Sequence, residues 1–340
     1  MSDHALAIQL VLYKSANELP PLLASLKAQT FQDWELFVFD NSCDQAASDA
    51  SKLLLEQFGL PFQWTVGETN GGFISHNELF SQHQCPFTFI VNPDIELAPD
   101  HLERLMAHIQ RDPALGAVTG LLLRKGGRGL DPHDDAVVDA AGLDYVCLGH
   151  VTDRFAGRRL GEVRSLLQDV QPVIGVSGSA ALFRSEALET SAADKLPFDN
   201  TFFMYKEDVD LALRLVRRGY RALLDPSALA THARAAKAGS LTWGERIRME
   251  RARPLQLRER MYQNQWSLYA YHLSWRLGFV DLLKTIWHEK KRSLSLFIFG
   301  SPAALFRTWG RLVRSRASLM RRRRQLEENG MPHVQLRGRI

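Results

Sequence analysis

Phe87-Thr88-Phe89-Ile90-Val91-Asn92-Pro93-Asp94 decides how this chain is put together. Residues 87–91 form a continuous apolar run, as expected of a strand buried on both faces, and the run stops at Asn92-Pro93-Asp94. Upstream, AIQLVLY (Ala7–Tyr13) is a second such run, and Asn17–Gln29 reads as a helix with Leu19, Leu22, Leu23 and Leu26 on one side. WELFVFD (Trp34–Asp40) is a strand ending on Asp40-Asn41-Ser42, Ala46–Phe58 a helix, and FQWTV (Phe62–Val66) a third strand. Asn70-Gly71-Gly72-Phe73 is a turn into a helix starting near Ser75. Downstream lie a helix over 100–110 and a short strand near Ala117–Leu123. Strands alternating with helices of about ten residues specify an α/β fold with a doubly wound, largely parallel sheet. Such sheets bind ligands at the carboxyl ends of their strands, where Asp40 and Asp94 both fall.

Beyond Leu123 the pattern loosens. Arg124–Asp135 is rich in turn formers and charge and reads as a mobile loop, and 136–170 give no clean period. VIGVSGSAALF (Val173–Phe183) is strand-like, with Gly175 and Gly178 where a ligand or backbone could approach closely. RALLDPSALATH (Arg221–His232) reads as a strand and turn ending on His232. Between them, FFMYKEDVDLALRL (Phe202–Leu215) runs from an apolar, aromatic segment into Glu207, Asp208 and Asp210 and then a helix. Val209, Leu213 and Val216 fall at helical spacing, Leu211 and Leu215 widen the stripe, and Gly219 stands where a C-cap is wanted. Asp208 at the start of that helix has two readings. Acidic residues there complement the helix dipole and accept orphan amide protons, so a charged cap suffices. Three carboxylates in four residues exceed what a cap requires, however, and the apolar wall before them would raise a carboxylate's pKa, as a catalytic base needs.

The 340 residues are 45% hydrophobic and 24% charged, an ordinary globular composition with room for one large domain plus an appendage, or for two domains. Cys43, Cys85 and Cys147 are widely spaced with no CxxC, which argues against a disulfide framework or zinc site and fits a reducing cytosol. MSDHALAIQL has no basic segment of a secretory signal. The charge of +4 is divided unevenly: residues 241–340 hold 21 Lys+Arg against 7 Asp+Glu, and residues 1–240 hold 21 against 31. A basic last third on an acidic body suggests a polyanionic partner, nucleic acid or an anionic membrane.

That last third has its own make-up. Thr242–Arg260 is Arg-rich and helical in pattern, and Met261–Trp287 carries Trp266, Tyr269, Tyr271, Trp275 and Trp287 among leucines. Ser293–Phe306 is apolar but too short to span a bilayer and is interrupted by Gly300 and Pro302. Arg307–Arg324 supplies eight arginines and no acid. This is the composition of helices lying in a membrane interface, or of a charged helical cover over the domain.

In order, Asp40-Asn41, Asn70-Gly71-Gly72-Phe73, Asn92-Pro93-Asp94, Gly178-Ser179-Ala180, Glu207-Asp208-Val209-Asp210-Leu211 and His232 resemble a family 2 glycosyltransferase of the rhamnosyltransferase-like branch. The resemblance covers about Ile8 to Ser240 and rests on several spaced motifs in one order. It implies the A-type glycosyltransferase fold over residues 1–240; the composition of 241–340 makes that part a helical, membrane-associating extension. It also implies a nucleotide-sugar donor (dTDP-, UDP- or GDP-linked), Mg2+ or Mn2+, and inversion at the anomeric carbon by a single displacement. Asp40 would contact the nucleoside, with Tyr13, Asn41, Asn70, Gly72, Phe73, Asn92 and Gly178 completing the donor surface. Asp94 would reach metal and diphosphate, His232 would be a further metal ligand or diphosphate contact, and Asp208 would be the base with Glu207 beside it. Lys14 replaces the Asn common after the first strand's Tyr, and Asp94 stands alone where many relatives have two Asp.

The chemistry suits these residue types. An acceptor hydroxyl loses its proton as it attacks, which needs one carboxylate. Magnesium takes one or two carboxylates and fills its shell with phosphate oxygens and water. Read singly, Asp40 and Asp94 are also capping residues, Asn70-Gly71-Gly72 a turn, and His232 a structural histidine. The expected activity is transfer of a sugar, rhamnose being the candidate, to a glycan or polyprenyl-linked acceptor in cell-surface polysaccharide synthesis. The expected location is the cytoplasm, on the inner face of the membrane, with no nucleic acid bound. The rival is a nucleic-acid-binding protein using the basic third. A dinucleotide-dependent oxidoreductase is disfavoured because no GxGxxG follows the first strand.

Overall fold

A computed structural model describes residues 4–126, 129–147, 150–191, 196–233, 248, 252, 254–272, 279–295, 297–298 and 302–328. In chain order the first part runs β1 (Leu6–Leu12), α1 (Leu19–Lys27), β2 (Trp34–Asp40), α2 (Gln45–Phe58), β3 (Phe62–Val66), a 3-10 turn (Gly72–Ser75) continuing as α3 (His76–Phe80), β4 (Phe87–Val91), β5 (Ile95–Leu97), α4 (His101–Arg111) and β6 (Leu115–Arg124). There follow β7 (Val138–Ala140), β8 (Leu143–Cys147), β9 (His150–Asp153), α5 (Leu160–Val163), β10 (Gln171–Val173), β11 (Ala180–Arg184), α6 (Ser185–Thr190), α7 (Glu207–Arg217) and β12 (Arg221–His232). The last third contributes α8 (Leu255–His272), α9 (Phe279–Ser295) and α10 (Pro302–Glu328).

The main sheet has the order β10-β12-β6-β11-β4-β1-β2-β3, with β5 on β12 and β7 on β6. β3, β2, β1 and β4 run parallel, as do β6 and β12. β11 enters antiparallel between β4 and β6. The largely parallel α/β sheet expected from the alternation is therefore present, with an antiparallel strand at its middle. β4 is buried along its whole length, as the unbroken run at 87–91 requires. Leu19, Leu22, Leu23 and Leu26 of α1 and Leu102, Leu105, Met106 and Ile109 of α4 pack against the sheet, each buried side chain contributing about 1.5–3 kcal/mol.

Four sequence readings change in detail. Arg221–His232 is one strand; Asp225-Pro226-Ser227 forms a bulge within it, the Asp225 carboxylate accepting the Ser227 amide at 2.9 Å. The run expected as one strand over 173–183 is broken: Val173 ends β10, Gly175 makes a single bridge to Leu143, and β11 begins at Ala180, with Gly178 in the irregular lead-in. The featureless 136–170 hold β7 and the β8–β9 hairpin, strands too short to show a period. The apolar run 293–306 is split between the ends of α9 and α10, and most of the helical reading over 242–260 lies outside the described residues.

The last third packs against the part of the chain that precedes it. Leu268 and Tyr271 of α8 and Leu326 of α10 share a core with Phe202, Val209 and Leu213. Asp210 and Arg214, one helical turn apart on α7, are buried and paired at 2.8 Å. His272 donates from Nε2 to the other oxygen of Asp210 at 2.7 Å and accepts from Arg217 at Nδ1, so its ring is neutral. Burial lowers the His272 pKa in agreement with that tautomer.

Candidate active site

Asp40 ends β2 fully buried. One carboxylate oxygen accepts the Ser42 amide at 2.9 Å, and the other has no hydrogen-bond partner. A buried, unpartnered carboxylate oxygen at a strand's carboxyl end is where a ligand donor is wanted. Asn41 is occupied differently: its side chain accepts from the Gly71 amide and Ser75 hydroxyl and donates to the Gly72 carbonyl. It brackets the 70–75 turn, and Asn70 closes that turn by accepting the Gly72 amide at 2.8 Å. Tyr13, just past β1, is 53% exposed, and Lys14 follows it in a left-handed conformation, paired with Asp44 at 3.0 Å.

The turn residues reach the acidic helix. Gly72 has φ +66°, and a Cβ on it would stand 2.5 Å from the Phe203 carbonyl oxygen. A Cβ on Gly178 would stand 2.6 Å from the Phe73 ring. Only glycine permits either approach. The Gly178 amide in turn donates to Asp208. Next along the chain, the Ser179 carbonyl accepts from the Asn92 amide at 2.9 Å. Turn 70–73, the end of β4 and the start of α7 thus meet around Gly178-Ser179.

Glu207 and Asp208 open α7. Asp208 is half-buried, and one of its oxygens accepts the Val209 amide at 2.7 Å. Burial raises its pKa, opposed by the Lys206 ammonium and by the amides of Val209 and Gly178. Glu207 is buried with one oxygen unpartnered; burial first, and then the charge of Asp208, push its pKa up to about 8. Glu207 therefore stays largely protonated at neutral pH beside Asp208. Asp210, the third carboxylate of the cluster, is a structural anion: Arg214 and His272 hold it well below the usual carboxylate range against the cost of its burial.

Asp94 and His232 form a second centre. The His232 Nε2 stands 3.1 Å from an Asp94 oxygen, and its Nδ1 stands 2.8 Å from Asp139, which Arg124 contacts at 3.3 Å. The pairing of β5 with β12 brings them together, Ile95 opposite His232. Both ring nitrogens of His232 thus face carboxylate oxygens, which only accept; a cation taken between Nε2 and Asp94 would displace a proton from Nε2 and leave Asp139 to orient the ring, as for a carboxylate-oriented metal ligand. One carboxylate and one imidazole would fit a divalent cation that completes its shell with other oxygen ligands. Among the described residues no cluster of three or more ligating side chains occurs. Asp139 escaped sequence reading because it lies on a three-residue strand, 93 positions from its partner.

The pattern of glycosyl transferase family 2 matches residues 8–191. Over 258 residues, 70% of this chain and 79% of the relative, the sequence is 27% identical to the N-acetylglucosaminyl-diphospho-decaprenol L-rhamnosyltransferase of Mycobacterium tuberculosis, in both strain CDC 1551 and strain H37Rv. Among solved structures it resembles the mannosyltransferase PcManGT from Pyrobaculum calidifontis in complex with GDP-Man and Mn2+ (TM-score 0.55, 15% identity, 97% of this chain and 88% of that one). It also resembles GalNAc-T7 with UDP, GalNAc and Mn2+ (TM-score 0.60, 11% identity, 95% of this chain and 54% of that one). These likenesses bear out the A-type fold expected from the motifs. The nucleic-acid-binding and oxidoreductase readings give way to the enzyme reading: the chain belongs to glycosyl transferase family 2 and is a glycosyltransferase.

Proposed function

We propose that this glycosyltransferase is inverting and cation-assisted, and moves a sugar, rhamnose being the candidate, from a nucleotide sugar to a polyprenyl-linked glycan at an anionic membrane. The observation that carries the reading is the half-buried Asp208, raised in pKa and touching Gly178, against which the Asn70–Phe73 turn is packed. In the reaction the acceptor hydroxyl gives its proton to Asp208 as its oxygen forms a bond to the anomeric carbon. On the opposite face the bond from that carbon to the diphosphate oxygen breaks, and the nucleoside diphosphate leaves with the electron pair. A carboxylate raised in pKa is the stronger base for this step, and Glu207, kept protonated, adds no second charge to the site. A cation held by Asp94 and His232 would neutralise charge on the leaving diphosphate.

The lipid-linked acceptor has support in the extension. A cavity of about 590 Å3 between α8, α9 and α10 is walled by Trp266, Ile286, Leu294, Phe297 and Leu305, within the size range of a ligand pocket. Beside Ile286 and Leu294, which are exposed at the cavity, Leu283 and Trp287 of α9 are exposed, as are Phe306, Trp309, Val313 and Met320 on α10. Each set falls at helical spacing, so each helix offers an apolar stripe. Among the described residues no helix is long and apolar enough to cross a membrane, so these stripes suit helices lying in its interface.

The test is a panel of dTDP-, UDP- and GDP-sugars with Mn2+ or Mg2+, read by thermal shift and by transfer to a polyprenyl-diphospho-N-acetylglucosamine acceptor. One donor should stabilise the chain and be turned over, and Asp208→Asn should remove turnover by a factor of about 10²–10⁴ while donor affinity holds. Turnover by Asp208→Asn at the wild-type rate refutes Asp208 as the base.

A further inference from the structure

The segment entering the catalytic helix has an unfavourable backbone. Tyr205 and Lys206 have φ of +69° and +79°, two successive left-handed residues that are neither glycine nor asparagine, directly before Glu207-Asp208. Such conformations persist only where the surroundings over-determine them, and they gather at functional sites. They also turn carbonyls out of the helical ladder, so those carbonyls need other partners.

Contacts from three directions hold the segment. The Lys206 ammonium donates to the Val151 carbonyl on the β8–β9 hairpin at 2.7 Å. The Phe203 carbonyl presses on Gly72. The third comes from the extension: Asn264 of α8, 6% exposed, donates from Nδ2 to the carbonyls of Met204 at 3.0 Å and Tyr205 at 2.8 Å. One turn earlier on the same helix face, the Arg260 guanidinium stacks over the Phe203 ring at 4.6 Å. A carboxamide suits the place because one nitrogen supplies two N–H groups to two consecutive carbonyls, whereas an aspartate of the same shape supplies none.

We propose that Asn264 is a positioning residue for glycosyl transfer: by holding the Met204 and Tyr205 carbonyls it fixes the left-handed entry into α7, and so the place of Asp208 relative to the acceptor. The extension is then part of the catalytic apparatus as well as the element proposed to meet the membrane. This rests on the assignment of Asp208 as the base. Arg260 secures the same segment from its aromatic side.

The experiment compares Asn264→Asp, Asn264→Gln and Arg260→Ala with the wild type and with Asp208→Asn, all in the full chain. Transfer is measured with dTDP-rhamnose, Mn2+ and a short-chain polyprenyl-diphospho-N-acetylglucosamine, and dTDP affinity by calorimetry. Hydrogen exchange at the amides of residues 203–209 reads the segment without any substrate. For Asn264→Asp the expected result is a fall in kcat of about tenfold, equivalent to 1.4 kcal/mol. Affinity for dTDP should stay within about twofold, since the loss is in the transition state. The acid limb of the kcat profile should move to lower pH as water reaches the carboxylates. Exchange should quicken at 203–209, Asn264→Gln should restore part of the rate, and Arg260→Ala should show a smaller loss in the same direction. Wild-type kcat, pH profile and exchange in Asn264→Asp would overturn the proposal. If that variant does not fold, Arg260→Ala decides, since its side chain is exposed: unchanged exchange and pH profile there also overturn it. Loss of turnover in Asp208→Asn with a fully active Asn264→Asp sinks the positioning role alone, whereas an active Asp208→Asn sinks the base assignment beneath it.

Discussion

Glu207→Gln separates the cost of a buried carboxyl from its use. Glu207 is 7% exposed, with one oxygen unpartnered, and its pKa stands at about 8 against an ordinary 4.5. Above pH 4.5 the unfolded chain gives up this proton and the folded chain keeps it. The folded state therefore loses stability as pH rises, by about 1.4 kcal/mol per pH unit, until the pH passes the folded pKa. By pH 7 the accumulated cost is about 3 kcal/mol. Glutamine has the same shape and no proton to release, so the variant gains over wild type as pH rises, a gain of about 5 °C in Tm at pH 7 for a chain of this size. Thermal unfolding of both proteins from pH 4.5 to 8.5 gives the difference directly. It should be near zero at the acid end, grow through neutrality and level off near pH 8. A difference that is constant with pH, or that shrinks as pH rises, refutes the raised pKa, and with it the claim that Glu207 is kept neutral beside Asp208.

Three further outcomes are expected. Asp94→Ala should weaken Mn2+ and nucleoside diphosphate together, each by about tenfold or more in calorimetry, because cation and diphosphate complete each other's coordination; tight diphosphate binding with Mn2+ in the variant would refute the site. Asp210→Ala should destabilise the fold by about 3–5 kcal/mol in denaturant unfolding, since it leaves the fully buried Arg214 without its countercharge, whereas a loss under 1 kcal/mol would contradict the burial. The full chain should co-float with anionic vesicles, weakened but not released at high salt; a protein that stays at the bottom of the gradient at low salt would refute the membrane reading.

The sheet was legible because β1, β2 and β4 are dense apolar runs, the last two ended by Asp or Asn, and their helices carry apolar residues at the period of a helix. Residues whose place depends on pairing across long sequence distances were not legible. Asp139 joins His232 only because β6, β7 and β12 lie side by side, and nothing around Val138-Asp139-Ala140 marks it. Asn264 stands in a helix whose residues are buried on several sides, so no amphipathic stripe singles it out. Within the acidic cluster, spacing could not separate Asp208, which meets Gly178, from Asp210, which meets Arg214. Asn41 carries the motif faithfully, yet its side chain is taken up in bracing the 70–75 turn.

The charge of the extension shows why a count is a poor guide to a partner. Part of it fastens the extension: Arg307 and Arg311 meet the buried Glu259, and Arg322 meets the buried Asp199 of the catalytic half. Those arginines behave as the cover that the composition also allowed. Lys284, Lys290, Arg314, Arg316, Arg321 and Arg324 are exposed on α9 and α10, the helices that carry the apolar stripes. A basic residue at an anionic surface contributes about 1 kcal/mol, and only the fraction facing the bilayer counts, so the electrostatic part comes to a few kcal/mol. Phe306 is 72% exposed and Trp287 60%, and burying a side chain of that kind contributes about 1.5–3 kcal/mol. Several such residues outweigh the lysines and arginines. Attachment in the proposed membrane role is therefore mainly apolar, and replacing Trp287, Phe306 and Trp309 by serine should release the protein from vesicles more completely than salt does.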